Sequence, residues 1–412
     1  MNLKKDAICN TIGNFSYLGV LWLMSVITAR YGGFEKAGYF SVALTTANIY
    51  ISLASYTVRL YYAADIEKKF TDKQYFIMRF LTTIVSVILC ICGSVFIGYS
   101  KQQLVIIILF YIYKSLEMIS DILFGALQRA NKLYLSGYSL CAKSILSLIC
   151  FTVAMICFDS LILALIVIDI VALLVLFVVD IRMVKHENID VKSWRMLDVK
   201  KAISLLKICF PLFVVGLCYS LIPSIPRLCY ERMFSAEEFG VYSSISTITV
   251  LISTAVNCVT IPLIPIMTEY YQTKKIEKLK KILWLNVIMV IGIGIVALVF
   301  VNFWGEWLLV FIFGDKMKGY TVVFEWIIVA VILTSLIICL NNFFTAIDRQ
   351  KLLLYANVAA VVVGIILAFP MCKYYYMNGV AYDLIVSQGV EVAILGGMIN
   401  HIMKKEVYYE HN

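Results

Sequence analysis

The chain has 412 residues, 62% of them hydrophobic and only 15% charged, with a mean hydropathy of +0.90. A soluble domain is nearer half apolar and a quarter charged, so that class is excluded. The formal net charge is +9.

Apolar runs long enough to cross a bilayer recur along the whole chain. They are continuous rather than alternating, which excludes a β-barrel and predicts an all-α polytopic membrane protein. The first run, from about Ala7 to Ala29, is too long for a cleavable signal peptide and lacks a small-residue cleavage site, so it is read as a span. In chain order the expected spans are 7–29, 37–62, 75–98, 103–127, 133–157 and 160–182, then 204–229, 239–266, 282–303, 321–347, 352–372 and 378–403. That gives 12 transmembrane helices. The polar stretch Met183–Ala202 divides them into an N-lobe (1–195, helices 1–6) and a C-lobe (196–412, helices 7–12).

Loops on the side of the N-terminus hold 22 basic residues, among them Lys68, Lys69, Lys192 and Arg195, against seven on the other side. The positive-inside rule then places both termini in the cytoplasm, as the even span count also requires. The net charge is thus an orientation signal spread over short loops, and no nucleic-acid partner is expected. The 12 cysteines lie almost all within spans, where Cys is a small hydrophobe. They form no ligand set with the three histidines, so no metal site is expected, and no Walker A motif offers a seat for nucleotide hydrolysis.

An internal echo joins the halves. "ARYGGFEKAGYFSVALTT" from Ala29 and "ERMFSAEEFGVYSSISTI" from Glu231 align Arg30 with Arg232, Glu35 with Glu237 and Gly38 with Gly240. "FGALQRANKL" from Phe124 is echoed by "FTAIDRQKLL" from Phe344. Two six-helix units of the same orientation should be related by an axis along the membrane normal and enclose a central cavity.

Ionisable residues interrupt several spans. On span four Lys114, Glu117, Asp121 and Gln128 fall within an arc of ~60° at ~100° per residue. A charge at the bilayer centre costs about 2.5–3.5 kcal/mol, so this stripe must face other helices or water. Span two carries Ser41, Thr45, Asn48, Ser52, Ser55, Arg59 and Tyr62 on one face, span one adds Asn10, Asn14 and Tyr17, and span five adds Lys143. The Ser, Thr and Asn positions also fit plain helix–helix packing. Lys114 and Glu117 also fit a self-neutralising i,i+3 pair. Arg79 is expected to snorkel, and Lys207, Asp180 and Asp383, near span ends, to sit at the interface. A basic, aqueous cavity with hydroxyl and amide side chains suits a lipid whose head group is phosphate plus saccharide.

The stretch "SLIPSIPRLCYERMFSAEEFGVYSSIST" from Ser220 resembles the seventh-to-eighth-span signature of bacterial polysaccharide-biosynthesis flippases, with Ile225, Pro226, Arg227, Glu231, Gly240 and Tyr242 in place. It departs from many members, which have an aromatic run before the Glu. "KSLEMISDILFGALQRANK" resembles the span-four pattern at Glu117, Asp121, Gly125, Gln128 and Arg129, and "TARYGGFEKAGYFSVA" the first-loop pattern. The resemblance covers nearly the whole chain. It implies the Wzx-type O-antigen and capsule flippases of the multidrug/oligosaccharidyl-lipid/polysaccharide (MOP) exporter superfamily, a MATE-like fold and a bacterial inner or plasma membrane. It implies a transporter of undecaprenyl-(pyro)phosphate-linked oligosaccharide, working beside glycosyltransferases and a polysaccharide polymerase. The substrate-binding candidates are Arg30, Asn48, Arg59, Lys114, Lys143 and Arg227. Glu117 and Asp121 are the candidates for coupling to H⁺ or Na⁺, and no other cofactor is expected. A multidrug extruder of the same superfamily is a rival, but its cavity should be apolar and acidic. A polymerase or ligase needs large outer loops, and the longest expected here is only about Trp304–Tyr320.

Overall fold

The computed structural model describes residues 3–65, 69–186 and 199–411. Lys68, Lys192 and Arg195, and the expected lobe boundary near 195, lie outside the described residues. Among the described residues the chain is helical, with short connections and no strand. Helices suit an apolar solvent because each satisfies its own backbone N–H and C=O groups.

In order, the helices are α1 (Leu3–Ser55), α2 (Val58–Ala64), α3 (Asp72–Ile97), α4 (Lys101–Arg129), α5 (Leu133–Phe158), α6 (Leu161–Val175) and α7 (Ile181–His186). There follow α8 (Val199–Met233), α9 (Ala236–Thr260), α10 (Leu263–Gln272), α11 (Ile276–Phe313), α12 (Thr321–Ala346) and α13 (Leu353–His411). Nine of the described helices are long and apolar enough to span a membrane. α4 has the length but is not one of them; Lys114, Glu117 and Asp121 lie within it.

Two helices are longer than any bilayer needs and each is broken once. The 53-residue α1 breaks at Gly33, at φ 84° and ψ 167°, so the loop expected after Arg30 narrows to a pivot. The 59-residue α13 breaks at Tyr376, at φ 51° and ψ −130°. The expected continuous helix 37–62 is also interrupted. Tyr56 and Thr57 both take positive φ (41° and 52°), which ends α1 and starts α2. Left-handed backbone costs a non-glycine residue roughly 1–2 kcal/mol, so tertiary contacts must hold it. Here the Tyr56 ring stacks on Phe213 at 4.3 Å, and the Thr57 hydroxyl donates to the carbonyl of Cys209 at 3.4 Å.

Contacts divide the chain into two compact units, residues 1–220 with 236–240 and residues 221–235 with 241–412. Within the first unit, α4 packs against α1, α3 and α6. α1 and α5 cross closely because Gly13 meets Gly137; a Cβ on Gly137 would lie 2.2 Å from the carbonyl oxygen of Cys9. Within the second unit, α12 lies against α11 and α13.

Beyond its first turns α3 shows an inversion relative to a helix of a soluble protein. On α3 from Arg79 onward the buried residues are Arg79, Thr83, Ser86, Cys90 and Ser94, at helical spacing, whereas Leu81, Ile84, Val85, Ile88 and Phe96 are exposed. Lipid leaves no hydrophobic drive between helices, so small polar residues can line this helix's contacts while its large apolar ones face outward.

Candidate functional site

α4 organises three ionic clusters inside the first unit. Its turns engage different neighbours, because Lys114, Glu117 and Asp121 share one face while Ser120 lies on the adjoining one.

In the first cluster Lys114 donates to Glu117 Oε2 at 3.1 Å. Tyr17 of α1 donates its hydroxyl to the same oxygen at 2.5 Å and accepts from Lys114. The ammonium also lies over the rings of Phe110 (5.6 Å) and Tyr113 (5.7 Å). Glu117 Oε1 is buried with no hydrogen-bond donor from the described residues.

In the second cluster Asp121 is held from both sides. Arg59 of α2 lies 2.5 Å from Oδ1 and Arg79 of α3 lies 3.0 Å from Oδ2. Arg79 also donates to the carbonyl of Ala54 at 2.9 Å, at the last turn of α1. The expectation that Arg79 snorkels is overturned: it is 0% exposed. A guanidinium that can bridge a carboxylate and a helix-end carbonyl gains more inside than at the interface.

The third cluster pairs Lys143 of α5 with Asp180 at 3.3 Å. Ser120 donates to Asp180 Oδ2 at 2.6 Å and accepts from Lys143 at 2.7 Å, and Ser139 donates to the other carboxylate oxygen. Asp180 closes a π-helical turn, Leu176–Asp180, that widens the helix and brings the carboxylate round to α4 and α5. The expected interfacial placement of Asp180 is therefore corrected, since its exposure is 0%. Asp383 is likewise 0% exposed in the second unit.

Taken as ionised groups, the first and third clusters are neutral. The second holds two guanidiniums against one carboxylate and keeps one positive charge. Arg59 is the accessible member, with 28% of its side chain exposed against 1% for Arg79.

The other candidates stand apart from these clusters. Arg30 and Asn48 are exposed on α1. Arg227 is in the second unit beside the buried Tyr242. Ser120 and Ser139 escaped the sequence reading, and Asp169, an intramembrane charge on span six, was not among its site candidates; its Oδ1 is buried without a donor from the described residues. A signal was present on α5, where Ser136, Ser139, Lys143 and Ser147 recur at helical spacing and are all buried.

The sequence matches the family profile described as "Polysaccharide biosynthesis protein" over residues 3–271, and that described as MatE over residues 211–369. It is 23% identical over 393 residues to the capsular polysaccharide biosynthesis protein CapF of Staphylococcus aureus, covering 92% of this chain and 96% of that protein. The fold is similar to the lipid II flippase MurJ in an inward closed conformation, with a TM-score of 0.75, 15% identity and coverage of 95% of this chain and 87% of MurJ. It is also similar to an inward-facing multidrug resistance MATE-family transporter of the MOP superfamily, with a TM-score of 0.71, 13% identity and coverage of 96% of each chain.

Proposed function

The chain belongs to the polysaccharide biosynthesis protein family of multi-pass membrane proteins, and we propose that it flips undecaprenyl-(pyro)phosphate-linked oligosaccharide from the cytoplasmic to the outer leaflet of a bacterial cell membrane. The observation that carries this reading is the uncompensated positive charge at Arg59–Asp121–Arg79. A net cationic cluster inside an apolar helix bundle is expensive unless an anion joins it. Arg59 is placed to receive a phosphate by charge-assisted hydrogen bonds while Arg79 holds Asp121 in position.

In this reading the chain crosses the membrane twelve times. α1 and α13 each supply two crossings on either side of Gly33 and Tyr376, and α4 adds one despite its charges, its polar face turned inward. Both termini are cytoplasmic, and alternating access moves the head group across while the polyprenyl tail stays in lipid. Glu117 serves ion coupling better than Asp121. Both oxygens of Asp121 are taken by arginines, whereas Glu117 Oε1 has no donor from the described residues and could take a proton or Na⁺.

The match of residues 211–369 to MatE keeps a second reading open, export of lipophilic cations. Purified protein in vesicles decides between them. Flipping of a fluorescent polyprenyl-pyrophosphate glycan, saturable and unaffected by ethidium, is the expected result. Ethidium transport without glycan flipping would replace the proposal with the rival.

A further inference from the structure

Outside the ionic clusters, the first unit holds an apolar cavity of about 520 Å³ between the end of α1, the middle of α3 and the start of α8. Its walls include Leu53 and Tyr56, Leu81 and Thr82, and Ile203 and Leu206. Leu81 and Ile203 are 40% and 47% exposed, so the cavity has an open mouth. α8 is 35 residues long, well beyond the ~20 that cross a bilayer core. Lys200, Lys201 and Lys207 mark its first turns as interfacial. Lys207 lies ~40° and Lys200 ~60° from Ile203 around the helix axis, on the same side of it. Both lysines are exposed, and α8 carries no acidic residue before Glu231.

We propose that this cavity seats one acyl chain of an anionic phospholipid of the surrounding bilayer, with the lipid phosphate held at the Lys200–Lys207 edge of α8. The apolar walls match an acyl chain. Basic side chains beside a groove between membrane helices select an anionic head group over a zwitterionic one. The transported lipid is assigned elsewhere, since its phosphate meets Arg59 on α2 rather than α8, and the lipid site does not depend on that assignment. Its position gives it a consequence. Tyr56, in the wall, is held in left-handed backbone where α1 ends, and its ring stacks on Phe213 at 4.3 Å. Thr82, also in the wall, donates to the Ala54 carbonyl at 2.8 Å, the same carbonyl that takes Arg79 at 2.9 Å. A chain filling the cavity packs against both the strained turn and the anchor of Arg79, so binding stabilises the fold.

The full-length protein, purified in detergent and stripped of bound lipid, is titrated with phosphatidylglycerol or with phosphatidylcholine of the same acyl chains, and its thermal midpoint is followed. Phosphatidylglycerol should raise the midpoint, with half-saturation about 10–30-fold below that of phosphatidylcholine. The double variant Lys200→Gln, Lys207→Gln should bring the two lipids to the same half-saturation. Ile203→Trp, which fills the mouth, should remove the response to both. Independently of how the variants fold, a phosphatidylglycerol with a photoreactive diazirine on one acyl chain should label the wild type on peptides containing Leu81 or Ile203. Equal responses of the wild type to the two lipids, or labelling confined to other segments, would overturn the proposal. So would loss of the label to undecaprenyl phosphate but not to unlabelled phosphatidylglycerol, which would make the cavity the tail site of the transported lipid.

Discussion

Arg79 Nη2 lies 3.0 Å from Asp121 Oδ2, and the guanidinium that makes this contact is withdrawn from solvent altogether. Forty-two residues separate the two along the chain. Their contact fixes α3 to α4 and, through the Ala54 carbonyl, fixes both to the end of α1.

Arg79→Leu leaves Asp121 its contact with Arg59 but removes two buried charge-assisted hydrogen bonds, to Asp121 and to the Ala54 carbonyl, and should destabilise the fold by about 1.5–3 kcal/mol. Arg79→Lys should lose a large part of this too, because a single ammonium does not match the two-sided contact. Thermal midpoints of the purified protein in detergent check this. An unchanged midpoint for Arg79→Leu would remove the clamp from the account.

Arg59→Ala should behave differently. Asp121 keeps Arg79 as a partner, so the protein should fold and insert at near wild-type levels. Glycan flipping should fall about 10–100-fold, the equivalent of a charge-assisted hydrogen bond of roughly 1.5–3 kcal/mol. Flipping at the wild-type rate, measured in vesicles at equal protein, would show that the phosphate does not dock there.

Lys114 and Glu117 should show strong coupling. Lys114→Met and Glu117→Gln each leave a buried partner unpaired and should each lower stability by about 3 kcal/mol. The double variant should recover most of that loss. In vesicles it should still flip substrate down its gradient but no longer respond to a proton or Na⁺ gradient. A retained gradient response would take Glu117 out of the coupling step.

A pH effect should come from Asp65, which lies outside the apolar spans in the connection from α2 to α3. Burial works against its ionised form. The backbone N–H groups of Lys69 (3.0 Å) and Phe70 (3.1 Å) and the Tyr75 hydroxyl (2.8 Å) outweigh that and hold its carboxyl below the usual value of 3.8. The unfolded chain then binds the proton more readily than the folded one. The stabilisation is complete above the ordinary aspartate range and is lost as pH falls through the folded value. The midpoint difference between wild type and Asp65→Asn should be constant from about pH 7 to pH 5 and shrink below about pH 4. A difference that stayed constant to pH 3 would contradict this assignment.

Much of the fold was legible without coordinates, because helix period and hydropathy are local quantities. The apolar runs become the observed helices, and the stripe of Lys114, Glu117 and Asp121 does turn inward. The family resemblance carried by "SIPRLCYER" and "KSLEMISDILFGALQRANK" agrees with the profile match over residues 3–271.

What the sequence determined by itself is which residues share a helix face, since ~100° per residue fixes that within one element. It could not determine which faces meet. Lys143 reads as a lone cation on its helix, yet Asp180 completes it from 37 residues away through a π-helical turn that no hydropathy pattern marks. The helix expected over 37–62 breaks at Tyr56 and Thr57 because contacts with Cys209 and Phe213 offset the backbone strain, and those contacts come from more than 150 residues along the chain. The pairing of Arg59 and Arg79 with one carboxylate depends on the rotation and register of α2, α3 and α4 against one another. Those are degrees of freedom between elements, and only the packed tertiary structure sets them.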